Sequence, residues 1–508
     1  MKKALALLLA ALLLCALMPA VSLAETTHYT YTMAPYTTIP LGENAPLIDY
    51  MNERYNATFE LIYIEESNRT TQIGLMAASD ELPDVIYGGD APSLLSQGLI
   101  GTWTEEFFRE HAPRYSAMID EYAPEAWALT KVDGVMYTLP SLNVEYLTAP
   151  AVFAWNGAWL EKLGVAEVPT DLEGLETLLY RMAKEDPDGN GQNDTYGLSE
   201  RGMTAIYGAY GFQRNMWLDD GTGNVVRGDV MPQAKEALAL LAKWYKDGVL
   251  DPEFITGENQ GGYWALTHAF INQRIACTDM GNWYHWIDLT SMGLDYLAPN
   301  TKAIAESDKP FPVVYAHPPI GPEGKCGTIR SNPANTRNTF SEKLVAETDR
   351  FARLLEIFDD MTMDLDTAIM KWYGFEGTDW VYEEVNGIKT IKDLAHTELD
   401  LGMEGLGNWW SFVDGSVEFL NLKNAKNLMF VDKFLSEWTT LYYQNAVPQT
   451  LPSGTLYWTE CDKILNEGYI AIITGEKPID YFDEMVQSWY HAGGQTLTDE
   501  ANEIYHQK

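Results

Sequence analysis

Oxygen-bearing side chains alternate along one short segment of the sequence, residues 186–194, which reads D-P-D-G-N-G-Q-N-D. Asp186, Asp188 and Asn190 offer side-chain oxygens at every second position, Gln192 offers its backbone carbonyl, and Asp194 ends the segment. Calcium prefers roughly six to eight oxygen ligands, and alternate residues of a tight loop can supply them. The spacing therefore predicts a single structural Ca²⁺ site. The alternative interpretation is a solvated turn of Asp, Asn and Gly.

Two glycines show how far this segment follows an EF-hand loop. Gly191 stands at the sixth position, where such a loop needs a sharp turn. Gly197 stands at the twelfth position, where an EF-hand supplies a bidentate Glu. A calcium ion bound here would therefore need another oxygen or a water molecule as a ligand.

A helix is predicted immediately before the loop and would hold it in place. Thr170 and Glu173 have the spacing of a capping box at its start. Apolar residues then recur on one helical face, namely Leu172, Leu175, Leu178, Leu179 and Met182. The metal would brace the C-terminal end of this helix against the chain that follows it.

Strand and helix patterns alternate along the rest of the chain. Strands are predicted at 29–33, 59–64, 82–87 and 470–473, and helices at 45–56, 74–78, from Pro232 onward, and at 481–506 with a break at Gly493-Gly494. Such alternation predicts an α/β fold built around a largely parallel sheet.

The first 24 residues have the pattern of a signal peptide. Lys2 and Lys3 precede an apolar segment, 4–17, and small residues at 22 and 24 suit cleavage after Ala24. The apolar segment is too short to span a membrane stably. Cys15 follows leucines rather than the small residue that lipoprotein processing requires, so we expect export without a lipid anchor, with anchoring through Cys15 as the alternative.

Charge and cysteine content exclude several classes of function. The chain has 34 Lys and Arg against 73 Asp and Glu, a net charge of −39, whereas binding to nucleic acid or to an anionic membrane requires a basic surface. Only Cys277, Cys326 and Cys461 follow the signal segment. An odd and sparse set of cysteines predicts neither a disulfide framework nor a zinc site.

Several segments occur in an order that is typical of one protein family. They are Leu82–Tyr87 with Gln97–Ile100, Asp133–Pro140 (D-G-V-M-Y-T-L-P), Trp155-Asn156 to Pro169-Thr170, Lys246–Glu253, and Gly281-Asn282-Trp283. Together they resemble the extracellular solute-binding proteins of ABC importers, in the group that includes maltose- and alginate-oligosaccharide-binding proteins. The resemblance runs from about residue 45 to the C-terminus.

Two later segments narrow the resemblance, and three departures qualify it. Segments 373–377 and 473–478 resemble the large lipoprotein-type binding proteins of Gram-positive bacteria, a subgroup to which the calcium loop also belongs. Val135 replaces the usual Lys of the D-G-K-x-Y-x-L-P motif, and the lipoprotein signal is absent. Thr195 stands where relatives often carry Glu, which removes one expected calcium ligand.

The resemblance implies a two-lobe, periplasmic-binding-protein-like fold with a hinge and a ligand cleft between the lobes. The implied N-terminal lobe covers 25–150, and the C-terminal lobe begins with 151–309, including the loop 186–194. Residues 310–380 return to the first lobe, and 381–508 belong mainly to the second lobe and the terminal helices.

The resemblance also implies where an oligosaccharide would bind. Sugar binding needs flat aromatic faces together with polar side chains, and the chain has 16 Trp and 29 Tyr. Trp283 in the Gly-x-Trp segment is the first candidate, and His285 and Trp286 follow it in a segment that we expect to be exposed. The remaining candidates are Trp155, Asn156, Asp90, Trp409, Trp410, Trp372 and Trp217. The alternative for each Trp is packing in a core.

The implied function is a non-catalytic, monomeric binding protein that hands an oligosaccharide to the ABC permease subunits in the membrane. A secreted glycoside hydrolase or polysaccharide lyase is the competing interpretation, because such enzymes also carry calcium and aromatic sugar platforms. The sequence contains no Gly-x-Ser-x-Gly, His-Glu-x-x-His or P-loop motif to support an enzyme. A binding protein for peptides or other solutes is the further alternative.

Overall fold

The computed structural model describes residues 26–33, 41–42, 45–64, 68–143, 150–256, 265–394, 403–410 and 415–506, without the side chains of 32, 33, 408 and 409. The predicted signal segment, Cys15 included, lies outside these residues. No helix within the described ranges combines the length and the apolar character needed to cross a membrane.

Short strands and many helices make up the described chain. The strands are Thr27–Met33, Ala57–Tyr63, Val85–Ile86, Lys131–Val132, Val135–Met136, Leu139–Leu142, Phe153–Asn156, Trp217–Asp219, Val225–Arg227, Cys277–Thr278, Val313–Ala316, Thr328–Ile329, Ala334–Arg337, Thr339–Phe340, Trp380–Val385, Ile388–Asp393 and Tyr442–Tyr443. The α-helices are Pro46–Tyr55, Arg69–Ala78, Ala91–Ser96, Glu105–His111, Pro113–Tyr122, Ala126–Leu129, Gly157–Lys162, Leu172–Lys184, Met203–Ala209, Pro232–Lys246, His268–Ile271, Pro299–Ala305, Glu342–Ala346, Thr348–Met363, Leu365–Tyr373, Val417–Lys423, Ala425–Phe434, Gly454–Ile473, Tyr481–Trp489 and Gln495–Tyr505.

The first sheet confirms the strands predicted near the N-terminus. Thr27–Met33 lies between Ala57–Tyr63 and Val85–Ile86 and pairs in parallel with both. Thr339–Phe340 then adds an antiparallel edge. Alternate side chains of the central strand, such as Tyr29 and Tyr31, are fully buried, because successive side chains point to opposite faces and one face lies against the core of the first lobe.

The second sheet is wholly antiparallel, so the prediction of a largely parallel sheet was wrong for this part of the chain. Phe153–Asn156 is its central strand and pairs with Cys277–Thr278 and with Val313–Ala316. The central strand is buried along its whole length. Phe153 belongs to one hydrophobic core and its neighbour Ala154 to another, because successive side chains point to opposite faces of a sheet.

Separate hydrophobic cores define two lobes. The large core of the first lobe draws on residues between Tyr29 and Leu142 and again between Ala334 and Leu420. The cores of the second lobe draw on residues 152–316 and again on 430–501. Core membership therefore changes three times, between 142 and 152, between 316 and 334, and between 420 and 430. The predicted lobe boundaries at 310 and 381 stay predictions.

Two local predictions were wrong for identifiable reasons. Asp171, rather than Thr170, caps the helix Leu172–Lys184, and its Oδ1 accepts a hydrogen bond of 2.8 Å from the Gly174 amide. Segment 470–473 is the last turn of the helix Gly454–Ile473 rather than a strand. Four apolar residues cannot by themselves distinguish a buried strand from a helix end. The helix predicted from Pro232 is confirmed as Pro232–Lys246.

The C-terminal helical segment has the predicted break at Gly493-Gly494. A π-helical turn at 490–494 joins Tyr481–Trp489 to Gln495–Tyr505, and Gly493 has a φ of 122°. A Cβ atom on Gly493 would lie 2.3 Å from ring atoms of Tyr457 on the helix Gly454–Ile473. Only glycine allows both this backbone conformation and this close packing.

We expect Gly493→Ala to destabilise the protein more than Gly475→Ala. Both glycines have a positive φ, but a Cβ atom on Gly475 would meet no atom within 4 Å. The difference measures the clash with Tyr457, for which overpacking suggests about 1–3 kcal/mol. Urea denaturation of both variants measures it, and equal stability would show that the Tyr457 ring moves aside freely.

Candidate functional site

A cavity of about 350 Å³ opens on the second lobe, between the helices Met203–Ala209 and Gly454–Ile473. We call it the polar cavity because charged and amide side chains share its wall with aromatic rings. The residues used below are Glu200, Arg201, Gln213, Arg214, Tyr207 and Tyr469. Its volume falls near the lower end of the range for small-molecule sites, about 300–1,000 Å³.

The second sheet positions one wall of the polar cavity through a buried carboxylate. Asp279 follows the strand Cys277–Thr278 and accepts hydrogen bonds from the amides of Gly202 (2.9 Å) and Ala205 (3.0 Å), at the start of the helix Met203–Ala209. Burial raises the pKa of Asp279, while these hydrogen bonds and the nearby charge of Arg201 act in the opposite direction. The helix is thereby fixed to the sheet at the edge of the cavity.

Arg214 is held against the opposite wall by three contacts. Its Nε donates to Asp229 (2.8 Å), its Nη2 donates to Asn466 (2.6 Å), and its guanidinium carbon lies 4.2 Å from the centre of the Tyr469 ring. Burial alone would raise the pKa of Asp229, but Arg214 and Arg227 hold the pKa of this carboxyl below its ordinary value. Asp229 is therefore an ionised anchor at neutral pH.

Glu200 and Arg201 are exposed at the polar cavity. In the part of the chain that the structure describes, neither side chain makes a hydrogen bond or an ion pair with another residue. Gln213 is fully buried, and although its Nε2 donates to the Thr204 carbonyl (2.8 Å), its Oε1 has no partner among the described residues. The cavity thus offers a free carboxylate and a free guanidinium next to aromatic rings.

The segment 281–286, which contains the first sugar-binding candidates, is mostly buried rather than exposed. Trp283 is 1% exposed and Trp286 is fully buried, and the Trp286 indole donates to the Met280 carbonyl (2.8 Å). Both rings belong to a core of the second lobe, where Trp286 meets Phe270 edge to face. The expectation of an exposed segment was wrong, because this turn folds back over the core that lies against the second sheet.

His285 closes this turn from the inside. Its Nδ1 accepts a hydrogen bond of 2.9 Å from the Asn282 amide, which completes a capping box around the 3₁₀ turn Trp283–His285. Burial lowers the pKa of His285 to about 4, so the imidazole is neutral at pH 7. Tyr284 is the aromatic residue of the turn that stays half-buried.

Three other candidates of the second lobe are also buried. Trp155 and Asn156 lie in the central strand Phe153–Asn156, where Asn156 caps the next helix through a hydrogen bond of 3.2 Å from the Trp159 amide. Trp217 packs against Trp458 in the large core of the same lobe. In this conformation these side chains support the lobe and offer no surface to a sugar.

The candidates of the first lobe are spread over its surface and its core. Asp90 is exposed, caps the helix Ala91–Ser96, and lines a shallow groove. Trp372 is half-buried beneath the Lys423 ammonium group, which lies 3.2 Å from the ring centre. Trp410 is fully buried and donates to the Gly405 carbonyl. The side chain of Trp409 lies outside the described part of the structure.

The structure does not bring the predicted sugar-binding residues together at the polar cavity, so their role stays a prediction. Sequence reasoning missed Glu200 and Arg201, which follow the loop 186–194 but fall in no recognised motif. A turn that carries two adjacent, oppositely charged residues immediately before an apolar helix is the only signal that the sequence offers for them.

The loop 186–194 has the sharp turns that its sequence predicts. Gly189 and Gly191 have φ values of 75° and 78°. The Asp186 carboxylate accepts hydrogen bonds from the amides of Asn190 (3.0 Å) and Gly191 (3.1 Å). The Asn190 side-chain amide donates to both oxygens of Asp194, at 3.1 and 3.2 Å. Hydrogen bonds within the turn thus hold Asp186, Asp188, Asn190 and Asp194 together.

Contacts with two neighbouring elements fix the loop. Thr195 is buried and donates to the Met182 carbonyl (2.9 Å) in the preceding helix, and Lys162 donates to the Asp186 carbonyl (2.7 Å). Thr195 therefore ties the loop to the helix.

The carboxylates of the loop crowd one another. Burial raises the pKa of Asp188, and the neighbouring Asp186 and Asp194 add to the rise. Desolvation alone would raise the pKa of Asp186. Hydrogen bonds from the Gly191 amide and from Asp188 outweigh this effect and lower the pKa of Asp186. Crowded oxygen ligands of this kind suit a hard cation. Among the described residues, however, no three His, Cys, Asp or Glu side chains form a group that could hold a metal ion.

Known proteins share both the sequence pattern and the fold. Lipoprotein LipO of Bacillus subtilis (strain 168) is 22% identical over 495 residues, which cover 91% of this chain and 89% of that protein. The polygalacturonan/rhamnogalacturonan-binding protein YtcQ of the same organism is 21% identical over 364 residues, covering 69% of this chain and 66% of that protein.

A solved structure extends the comparison to the fold. The alginate-binding protein AlgQ2, solved without calcium ion, superposes with a TM-score of 0.64 at 15% identity, over 95% of this chain and 98% of that one. The two-lobe α/β fold that the resemblance implied is therefore confirmed. The family profile described as "Bacterial extracellular solute-binding protein" matches residues 47–337, more than half of the sequence. The chain belongs to this family of bacterial extracellular solute-binding proteins.

Proposed function

We propose that this protein is the exported, monomeric substrate-binding component of an ABC importer and that it captures an oligosaccharide. The polar cavity carries the proposal, because it presents an exposed carboxylate and an exposed guanidinium in a member of a solute-binding family. Sugar hydroxyls need donors and acceptors, and Glu200 and Arg201 supply both. Relatives named for binding alginate and polygalacturonan/rhamnogalacturonan support this class of solute.

Capture would proceed by closure of the two lobes around the solute. The chain passes from the cores of one lobe to those of the other three times, between 142 and 152, between 316 and 334, and between 420 and 430. Several connections of this kind favour a hinge-like rotation over free movement of the lobes. A ligand stabilises the closed state only if it contacts both lobes better there. The polar cavity would supply the contacts of the second lobe, and exposed Asp90 remains a candidate in the first.

The polar cavity favours a binding protein over an enzyme. A glycoside hydrolase needs two carboxyl groups placed about 5–9.5 Å apart across the scissile bond. Glu200 is the carboxylate on the wall of the polar cavity, and its nearest charged neighbour in sequence is a guanidinium that would bind rather than cleave. The protein would then deliver the intact oligosaccharide to the permease subunits.

We also propose that the loop 186–194 binds one structural Ca²⁺. Asp186, Asp188, Asp194, the side-chain oxygen of Asn190 and the backbone carbonyl of Gln192 would hold it, with water completing the shell. The bound ion would neutralise the crowded carboxylates and fix the loop to the helix Leu172–Lys184. Burial raises the pKa of Asp188 and the neighbouring Asp186 and Asp194 raise it further, so a bound cation would relieve a strained cluster of carboxylates.

The proposed location is outside the cytoplasmic membrane, at the cell envelope. Residues 1–24 would act as the signal peptide, with cleavage after Ala24. Similarity to a protein named a lipoprotein supports attachment to the envelope, whereas the leucines before Cys15 favour release without a lipid.

We expect a panel of oligosaccharides to include one that raises the melting temperature of residues 25–508 in a saturable way and is recovered intact. A ligand at a hundredfold excess over its Kd stabilises the folded state by about 2.7 kcal/mol. Glu200→Gln should weaken this ligand, because a charged acceptor of hydroxyl hydrogen bonds is lost, whereas Glu306→Gln, exposed elsewhere on the second lobe, should not.

Differential scanning fluorimetry and chromatography of the glycan provide the measurement. Degradation of the glycan would show that the protein is an enzyme rather than a binding protein. A panel with no stabilising member would contradict an oligosaccharide as the solute.

Removal of calcium by EDTA should lower the melting temperature of the wild-type protein, because an ion bound only to the folded state stabilises it by mass action. Asp188→Ala should abolish the effect of EDTA. Asp220→Ala is the matched control, since Asp220 lies in a different exposed turn and bonds to Thr222. An unchanged melting curve, with no calcium found by elemental analysis, would show that the loop is held by hydrogen bonds alone.

A further inference from the structure

Arg201 is an uncommitted cation in a chain with a net charge of −39. Many of the other described arginines are engaged with carboxylates, as Arg214 is with Asp229 and Arg274 with Asp251. Arg201 instead lines the polar cavity without an ion pair or a side-chain hydrogen bond to any residue that the structure describes. The Arg201 guanidinium is therefore available to a negatively charged group that enters the cavity.

The acidic groups nearest to Arg201 do not satisfy its hydrogen-bond donors. Asp279 is close enough for its pKa to respond to Arg201, but the Asp279 oxygens accept from the Gly202 and Ala205 amides. Glu200 is adjacent in sequence and makes no ion pair with it. The guanidinium therefore keeps its donors for a group that enters the cavity.

We propose that Arg201 binds a carboxylate of the solute and that the solute is therefore an acidic, uronate-containing oligosaccharide. This inference rests on the proposed function and names the class of oligosaccharide at the same cavity. A guanidinium matches a carboxylate with two parallel N–H···O bonds. Tyr207 and Tyr469 are buried behind the same space, and the exposed apolar side chains at the cavity are Ile255 and Ile470.

Glu200 indicates which negatively charged group of the solute Arg201 would bind. A phosphorylated sugar brings more negative charge than a carboxylate, and Glu200 at the same cavity would repel it more strongly. A uronate brings one negative charge for Arg201 together with hydroxyl groups that Glu200 can accept from. The adjacent pair thus fits a ring that carries both a carboxylate and hydroxyls.

The test compares each acid with its own uncharged methyl ester. Trisaccharides of galacturonate, mannuronate and guluronate, and their fully methyl-esterified forms, are titrated into the calcium-loaded protein by calorimetry. We expect at least one acid to bind wild-type protein about 10- to 100-fold more tightly than its ester, the range expected for hydrogen bonds to a charged group. Binding of every acid no tighter than its ester would overturn the proposal.

Variants assign the preference to one side chain. Arg201→Gln should bind acid and ester about equally, whereas Arg201→Lys should keep part of the preference as a point charge. Glu200→Gln should weaken both ligands and keep the preference. Lys302→Gln removes an exposed cation remote in sequence from the cavity and should behave like wild type, which controls for net charge.

The outcomes separate this inference from the function on which it rests. Neutral oligosaccharides that bind while no acid is preferred would leave the proposed function intact and overturn the role of Arg201. If folded Arg201→Gln still bound the acid as much more tightly than its ester as wild type does, the role of Arg201 would be overturned as well. If no acidic or neutral oligosaccharide binds, the proposed function itself fails. An unchanged melting temperature of Arg201→Gln excludes an indirect effect through Asp279.

Discussion

The central strand of the second sheet, Phe153–Asn156, is buried on both faces, and much of the second lobe depends on it. Its alternate side chains enter two different cores, so neither core can form without the strand between them. Asn156 at its end starts the next helix. The neighbouring strand Cys277–Thr278 leads directly to Asp279, which fixes the helix beside the polar cavity. Hydrophobic burial at this strand thereby sets the position of a polar site.

Two buried carboxylates stabilise the walls of the polar cavity. Asp229 and Asp279 are almost fully buried, which is costly unless each carboxylate is paired or hydrogen-bonded. Asp229 pairs with Arg214 and Arg227, and Asp279 accepts backbone amides. Both carboxylates lie behind the walls of the polar cavity. Their internal partners leave Glu200 and Arg201 as the charges that the cavity presents to solvent.

The loop 186–194 represents the opposite case, in which local chemistry decides the structure. Its turns come from Asp, Asn and Gly residues whose side chains bond to amides two to five positions away. No distant contact is needed to form them. This is why the loop was predictable residue by residue, and why its attachment through Thr195 and Lys162 was not.

The sequence by itself determined the family, through motifs spread along the chain. It also determined the strands near the N-terminus, the helices Leu172–Lys184 and Pro232–Lys246 and the turns of the loop, because these depend on neighbours within a few residues. Only the tertiary structure decided which aromatic residues are exposed, that the second sheet is antiparallel, and that segment 470–473 is helical. Trp286 illustrates the reason, since its burial depends on Phe270 and on the Met280 carbonyl. Glu200 and Arg201 become a site only where two helices distant in sequence enclose a cavity. Exposure is a property of packed segments, and a residue's type does not fix it.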